Sequence, residues 1–276
     1  MASLESKRGG AGLVASDPDD LALALELADI ADSITRERFL ASDLKVETKP
    51  DMTPVTEADT AVERAIRDRL ATARPDDAVV GEEFGASSAQ DASRRWVLDP
   101  IDGTNNYVRG IPVWATLIAL QEGERTTIGV ASAPALGRRW WAAAGAGAFV
   151  EDGLSDGARR LAVSAVRELA DSQLVMSGLG NWDAIGRLDA AIALARSCWR
   201  TRGYGDFWQY MLVAEGTAEI GLEPEVSLWD LAAPQVIVEE AGGRFTDLGG
   251  VATASGGDAI ATNGLVHDAA LAIIGR

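Results

Sequence analysis

The sequence predicts a mixed α/β protein built as two packed αβ halves, and three observations point to it. Apolar residues at helical spacing alternate with short runs of strand-forming residues. Their order holds no regular strand–helix–strand repeat, which separates the chain from a doubly wound parallel sheet. At 276 residues and 47 % apolar side chains it can bury a substantial core, as one large domain or two intimate halves.

Taken in order, Asp17-Pro18 is an N-cap and first-turn pair for a helix running toward Phe39, with Leu23, Leu27, Ile30 and Ile34 on one stripe. Residues 45–49 read as extended. Thr56-Glu57-Ala58-Asp59 then fits a capping box ahead of Val62, Ala65, Ile66 and Leu70. Strands are expected at 78–80 and 96–99, the second stopping as Asp99 appears because Pro100 follows. Residues 113–121, 127–132 and 139–143 read as further strands, with 145–149 a turn into another. Beyond a looser charged stretch at 151–160 come a strand at 173–176, a helix at 183–196 and a strand-like 199–203. A helix near 207–216, a strand at 218–222, a helix around Asp230 ending at Gly242-Gly243 and a last helix at 267–274 complete the chain. The expected division is a disordered tail over residues 1–16, an N-terminal half over 17–158 and a C-terminal half over 159–276.

Composition excludes several functions. Lys+Arg of 25 against Asp+Glu of 42 gives a formal net charge of -17, whereas nucleic acids and anionic membranes both need a basic face. The single cysteine, Cys198, forbids an intrachain disulfide, suits a reducing cytoplasm and is expected to serve packing. The longest apolar run, near 111–120, contains Pro112 and is too short to span a bilayer, and residues 1–16 lack the apolar core of a signal peptide. There is no phosphate-binding Gly-x-x-x-x-Gly-Lys-[Ser/Thr] loop and no complete Gly-x-Gly-x-x-Gly. His267, the sole histidine, is expected at a helix terminus or the surface rather than in catalysis, which removes phosphohistidine and histidine-rich metal chemistry.

The most informative stretch is Trp96-Val97-Leu98-Asp99-Pro100-Ile101-Asp102-Gly103-Thr104, two carboxylates three residues apart at a strand end. A tight turn there can bring both acids and one main-chain carbonyl onto a hard divalent cation such as Mg²⁺. Gly103 and Thr104 offer N–H groups to a phosphate if a helix starts at that point. The same spacing also makes an Asx-turn with a helix cap. Two further segments shift the balance: Gly81-Glu82-Glu83-Phe84-Gly85 after Ala78-Val79-Val80, and Leu228-Trp229-Asp230-Leu231-Ala232-Ala233 before Val236-Ile237-Val238-Glu239-Glu240-Ala241-Gly242-Gly243, with Asp230 placed to cap that helix.

In this order the three segments resemble the signature of the inositol monophosphatase superfamily, Mg²⁺-dependent and Li⁺-sensitive phosphomonoesterases, over essentially the whole chain after residue 16. Tyr107-Val108-Arg109-Gly110-Ile111-Pro112-Val113-Trp114-Ala115, Ala133-Pro134-Ala135-Leu136-Gly137-Arg138-Arg139-Trp140-Trp141 and Arg202-Gly203-Tyr204-Gly205-Asp206-Phe207 are most similar to its actinobacterial-type histidinol-phosphate phosphatases, enzymes of histidine biosynthesis. The resemblance implies a layered α-β-α-β-α sandwich of the inositol monophosphatase and fructose-1,6-bisphosphatase type, with the site between the halves. It implies that Glu82, Asp99 and the Ile101 carbonyl hold one Mg²⁺ and that Asp99, Asp102 and Asp230 hold a second. Glu83 joins the catalytic set, reached by a third, weaker ion.

By the same analogy Thr104 and Asp59 form a hydrogen-bonded pair that orients and deprotonates the attacking water; the competing readings are a helix N-cap and a capping box. Lys49 either aids this network or is simply exposed. Gly103 and Thr104 N–H groups receive the phosphate. Arg202, Asp206 and Glu223 line the alcohol pocket, where the two acids suit an ammonium or imidazole; otherwise they are solvated loop acids. Trp114, Phe207 and Trp208 are expected in the core. The implied partner is a small phosphorylated substrate, with no nucleic acid and no membrane, in a cytoplasmic homodimer by family analogy. An inositol-1-phosphatase or broader sugar-phosphate phosphatase is the alternative within the class. A regulatory binding protein on a phosphatase scaffold is the alternative outside it, against which the intact acids argue.

Overall fold

The computed structural model describes residues 18–50, 52–87 and 93–275, so the tail expected at 1–16 and the cap expected at Asp17 lie outside the described residues. The described chain begins with helix α1 (Pro18–Arg38), a hairpin of β1 (Val46–Thr48) and β2 (Pro54–Thr56), and helix α2 (Glu57–Ala73). Strands β3 (Ala78–Gly81), β4 (Gly85–Ala86) and β5 (Arg94–Asp102) lead into the short helix α3 (Thr104–Val108). Then come β6 (Ala115–Glu122), β7 (Arg125–Ala133), β8 (Arg138–Ala143), β9 (Gly147–Glu151) and β10 (Arg159–Arg160). The remainder is β11 (Gln173–Met176), α4 (Leu179–Ala184), α5 (Leu188–Ser197), β12 (Arg200–Arg202), α6 (Asp206–Ala214) and β13 (Ile220–Glu223). It ends with α7 (Leu228–Glu240), β14 (Arg244–Thr246), β15 (Ala259–Thr262) and α8 (His267–Ile274).

Among the described residues, strands β3 to β10 form an eight-stranded sheet ordered β10-β9-β8-β7-β6-β5-β3-β4, and the later strands a five-stranded sheet ordered β12-β11-β13-β15-β14. Strand periodicity explains how both faces are covered, because successive side chains point to opposite sides. On β5 and β6, Trp96, Leu98, Ile118 and Leu120 face α1 and α2 through Leu23, Leu27, Val62 and Ile66. Val97, Leu117 and Ala119 instead face a middle layer made by α6 and α7. The second sheet repeats the logic. Val175, Ala259 and Ala261 meet that middle layer, while Leu174, Ile220, Leu222 and Ile260 meet Trp182, Leu194 and Ile274 of α4, α5 and α8. The result is the layered α-β-α-β-α arrangement. No helix among the described residues is long and apolar enough to cross a membrane.

Two local expectations are corrected and a third is narrowed. Strand β5 does not stop at Asp99 but runs through Pro100 to Asp102 with an irregular register between the two acids. Proline is tolerated because such a bulge needs no ladder N–H, and the Pro100 carbonyl is satisfied by the Thr116 hydroxyl at 2.7 Å. The single helix expected over 183–196 is two, broken at Gly186, whose φ of 70° ends α4 in the left-handed region. His267 is the first residue of α8 but not a surface group: it is 0 % exposed, with its ring nitrogens 3.1 and 3.0 Å from the hydroxyls of Thr246 and Thr262.

Candidate active site

Asp99 shares the parity of Val97 and therefore points toward the middle layer, between the sheets. The irregular turn after it brings Asp102 to the same side, and Gly103, at φ 83°, caps α3. Thr104 is thus the first helical residue and not the cap. Beneath this turn Phe39, Tyr107 and Trp114 pack ring to ring at 4.9 to 5.3 Å, and the Tyr107 hydroxyl donates to the Thr35 carbonyl at 2.8 Å. The turn rests on a rigid aromatic floor.

Asp230 arrives from α7. Ser227, not Asp230, is the N-cap; the Asp230 carboxylate reaches back to accept the Ser227 N–H at 2.7 Å. Its second oxygen is left for the cleft, and carboxylate oxygens of Asp99, Asp102 and Asp230 lie within 4.8 Å of one another. Glu82, on the turn between β3 and β4, lines the same cleft of about 320 Å³ together with the Ile101 main chain, Thr104 and Asn105. Lys49 is not an exposed lysine: its Nζ donates to Glu82 at 2.7 Å and to Glu83 at 2.8 Å. Burial works against its charge, but the two glutamates raise its pKa. Glu83 stands behind Lys49 and does not line the cleft.

Asp59 makes different contacts with its two oxygens. Its Oδ2 accepts from the Thr56 N–H at 2.8 Å and the Thr56 hydroxyl at 2.6 Å, completing the capping box. Its Oδ1 lies 3.4 Å from the Thr104 hydroxyl, which donates to the Ile101 carbonyl at 2.8 Å. Burial, ahead of all other causes, pushes Asp59 up to about 6.

At the other end of the cleft stand Asp206 and Glu223, neither of them a solvated loop acid. Glu223 ends β13 and is buried; Asp206 opens α6 with φ 54°, a left-handed conformation that aspartate tolerates better than most residues. The amino end of α6 turns its first N–H groups onto acids: Asp206 N–H toward Glu223 at 3.3 Å and Phe207 N–H to Asp102 at 2.6 Å. Asn106, which sequence reasoning passed over, ties the ends together by donating to Asp206 at 3.0 Å and to the Val113 carbonyl at 2.9 Å. Arg202 is not brought into this cleft. It is exposed on edge strand β12, bonds the Thr201 carbonyl and lines a larger neighbouring groove of about 750 Å³ that holds none of these acids.

Seven acids, Glu82, Asp99, Asp102, Asp206, Glu223, Glu225 and Asp230, therefore line one cleft, and among the described residues no basic side chain lines it. Burial first, then the charge of Glu82 and the neighbouring aspartates, drives Asp99 well above the usual carboxylate range. Asp102 follows through burial and then Asp206 and Asp230, and Glu223 through burial and then Asp206. Burial takes Asp230 to about 6 and Asp206 to about 7. Glu83, held by Lys49, is pushed to about 7 by its burial. Asp99 Oδ1 is buried without a hydrogen-bond partner. An orphaned carboxylate oxygen facing two more acids is a poor arrangement by itself and a good one around a hard divalent cation, which takes oxygen ligands and neutralises their repulsion. The residues present fit such an ion.

Comparison with known proteins agrees with this chemistry. The model of the inositol monophosphatase family matches residues 18–274. A histidinol-phosphatase of Streptomyces coelicolor is 56 % identical over 94 % of this chain and 97 % of its own. One from Mycobacterium tuberculosis is 56 % identical over 92 % of this chain and 96 % of its own. The solved structure of an IMPase from Thermotoga maritima superposes with a TM-score of 0.81 at 28 % identity, covering 93 % of this chain and 96 % of the other.

Proposed function

Because the chain belongs to the inositol monophosphatase family, we propose that it is a metal-dependent phosphatase that hydrolyses L-histidinol phosphate to L-histidinol and phosphate. The convergence of Asp99, Asp102 and Asp230 is the observation that carries the chemistry. Asp99, Asp102 and Asp230 would hold one Mg²⁺, and Glu82, Asp99 and the Ile101 carbonyl would hold another; Glu83, paired with Lys49 outside the cleft, would bear on them only through that lysine. Bound cations supply Lewis acidity that lowers the pKa of water and neutralises phosphate.

The chain's own groups do the rest. Thr104 Oγ and Asp59 Oδ1 orient the attacking water and take its proton, a role suited to an acid held near 6. Gly103 and Thr104 N–H groups bind the phosphate oxygens. Asp206 and Glu223 receive the leaving alcohol. Two buried acids with no cation beside them in the cleft favour a substrate that brings its own, and histidinol phosphate carries an amino group and an imidazole. The enzyme acts in the cytoplasm, which the lone Cys198 suits, and as a homodimer, which the family analogy alone supports.

A substrate panel with Mg²⁺, reading released phosphate, tests the reading. Histidinol phosphate should exceed inositol-1-phosphate in kcat/KM by roughly 10² or more, since a site that pairs buried polar groups rejects analogues lacking the partner. Equal values would defeat the substrate assignment and leave the metal chemistry standing.

A further inference from the structure

Glu63 takes no part in the chemistry above, yet its carboxylate is 0 % exposed and lies beside the turn that carries Glu82. It sits one helical turn beyond Asp59 on α2, so both acids project from the same helix face. Glu63 accepts the N–H of Glu83 at 2.8 Å and that of Phe84 at 3.3 Å. Arg67, a further turn along, pairs with Glu63 at 2.8 Å and bonds the Gly85 carbonyl, while Arg64 and Arg67 stand 5.7 and 5.9 Å from the centre of the Phe84 ring. The fit extends to Gly81, the residue before Glu82: a Cβ there would lie 2.1 Å from Glu63 Oε1 and 2.3 Å from its Cδ. A methyl group at position 81 would displace either the turn or the Glu63 carboxylate and so break this contact.

Burying this ion pair is a poor way to gain stability, since well-packed apolar residues do as well or better. What the carboxylate supplies is geometric: it accepts two consecutive N–H groups of a turn that has no ladder partners for them. The geometry points to Glu63 as the positioning residue for Glu82. It fixes the 81–85 turn through the backbone from the α2 side, while Lys49 holds the Glu82 side chain from the other. The assignment rests on the reading that Glu82 holds a divalent cation.

The test uses the full chain with Mn²⁺ as probe, its binding followed by the electron paramagnetic resonance of the free ion, beside melting curves and the Mg²⁺ concentration for half-maximal phosphate release. Glu63→Gln keeps the shape but puts an NH₂ where an acceptor is needed, and should weaken Mn²⁺ binding roughly 10–100-fold, the scale for groups that orient a ligand. The loss should appear in the Mg²⁺ requirement rather than in kcat at saturating Mg²⁺. Gly81→Ala, whose methyl group drives the turn off Glu63, should give the same shift. If either variant does not fold, Glu63→Ala/Gly81→Ala, with the methyl in the vacated space, decides: weakened binding supports the role and parent-like binding overturns it. A lower melting temperature with unchanged Mn²⁺ affinity also overturns it. A parent chain that binds no Mn²⁺ would instead overturn the metal reading on which the assignment rests.

Discussion

Asp59 divides two contacts between its two oxygens, and the catalytic task proposed for one of them can be measured. In Asp59→Asn one side-chain oxygen remains for the capping box or for Thr104, not both. Losing a cap destabilises by about 0.5–2 kcal/mol. At roughly 2–4 °C per kcal/mol for a chain of this size class, the melting temperature should fall by only a few degrees. Losing a positioned base should instead lower kcat by ~10²–10⁴-fold, about 2.7–5.5 kcal/mol of barrier. The second effect is the larger and is read independently of the first. Thr104→Ala leaves the capping box of α2 intact, so it should lower kcat on the same scale with little change in melting. The Thr104 hydroxyl stands between Asp59 and the Ile101 carbonyl, so the proposed pairing requires the two residues to act as one unit. The double variant should therefore lose little more than either alone. Phosphate release at saturating Mg²⁺ and substrate, with parallel melts, is the assay. Additive losses in kcat, or an Asp59→Asn protein that melts earlier but turns over normally, would refute the catalytic pairing and leave only the cap.

Other outcomes follow from the same geometry. Exhaustive chelation should abolish phosphate release, Li⁺ should inhibit it, and folded Asp99→Asn should be slower by ~10²-fold or more, the scale of a lost electrostatic stabiliser; undiminished turnover in either case defeats the metal mechanism. Glu223→Gln keeps size but removes charge, and should raise KM for histidinol phosphate about 10–100-fold, from the 1.5–3 kcal/mol of a charge-assisted hydrogen bond, leaving a neutral phosphomonoester nearly unaffected. An equal rise for both substrates would remove Glu223 from leaving-group recognition. Burial lowers His267 from 6.5 to about 4, so between those values the unfolded chain binds a proton that the folded one refuses. Its contribution is complete above 6.5 and is lost as pH falls toward 4, on the order of 3 kcal/mol in all. The buried acids act in the opposite sense, so denaturation of parent and His267→Asn should be compared across that window; identical pH slopes would show that His267 contributes none.

The end of the cleft formed by Glu82, Asp99, Asp102 and Asp230 was legible in the sequence because these acids sit in three short segments where Gly, Pro and apolar strand residues mark turns at element ends. Local chemistry writes such turns. What tertiary packing decides was not legible. Lys49 reads as an ordinary surface lysine until the β1–β2 hairpin brings it onto Glu82 and Glu83. Arg202 reads as a pocket residue next to Asp206, yet edge strand β12 turns it into the neighbouring groove. Gly186 breaks a helical pattern whose apolar spacing runs on through it. Strands β14 and β15 are three and four residues long, too short for period-two alternation to announce them. Asn106 lies between the stretch ending at Thr104 and the one beginning at Tyr107 and carries no charge to draw notice; its contact with Asp206 exists only because α6 packs beside it. Glu63 fits the polar face of a helix until the burial of α2 is known.

Helix α7 is buried along Leu231–Pro234 and again at Val236–Val238, with a sheet on either side of it. Such a helix keeps only a narrow solvent edge, at Gln235 and Glu239, so the amide hydrogens of its buried stretch should exchange last, near the rate of global unfolding. Asp230 stands on its first turn. The floor of the cleft consequently cannot breathe apart from the whole molecule, and whatever occupies it is felt by the whole molecule. A cation held there at a hundred times its dissociation constant should add about 2.7 kcal/mol to the free energy of unfolding, spread over every slowly exchanging amide rather than confined to the site.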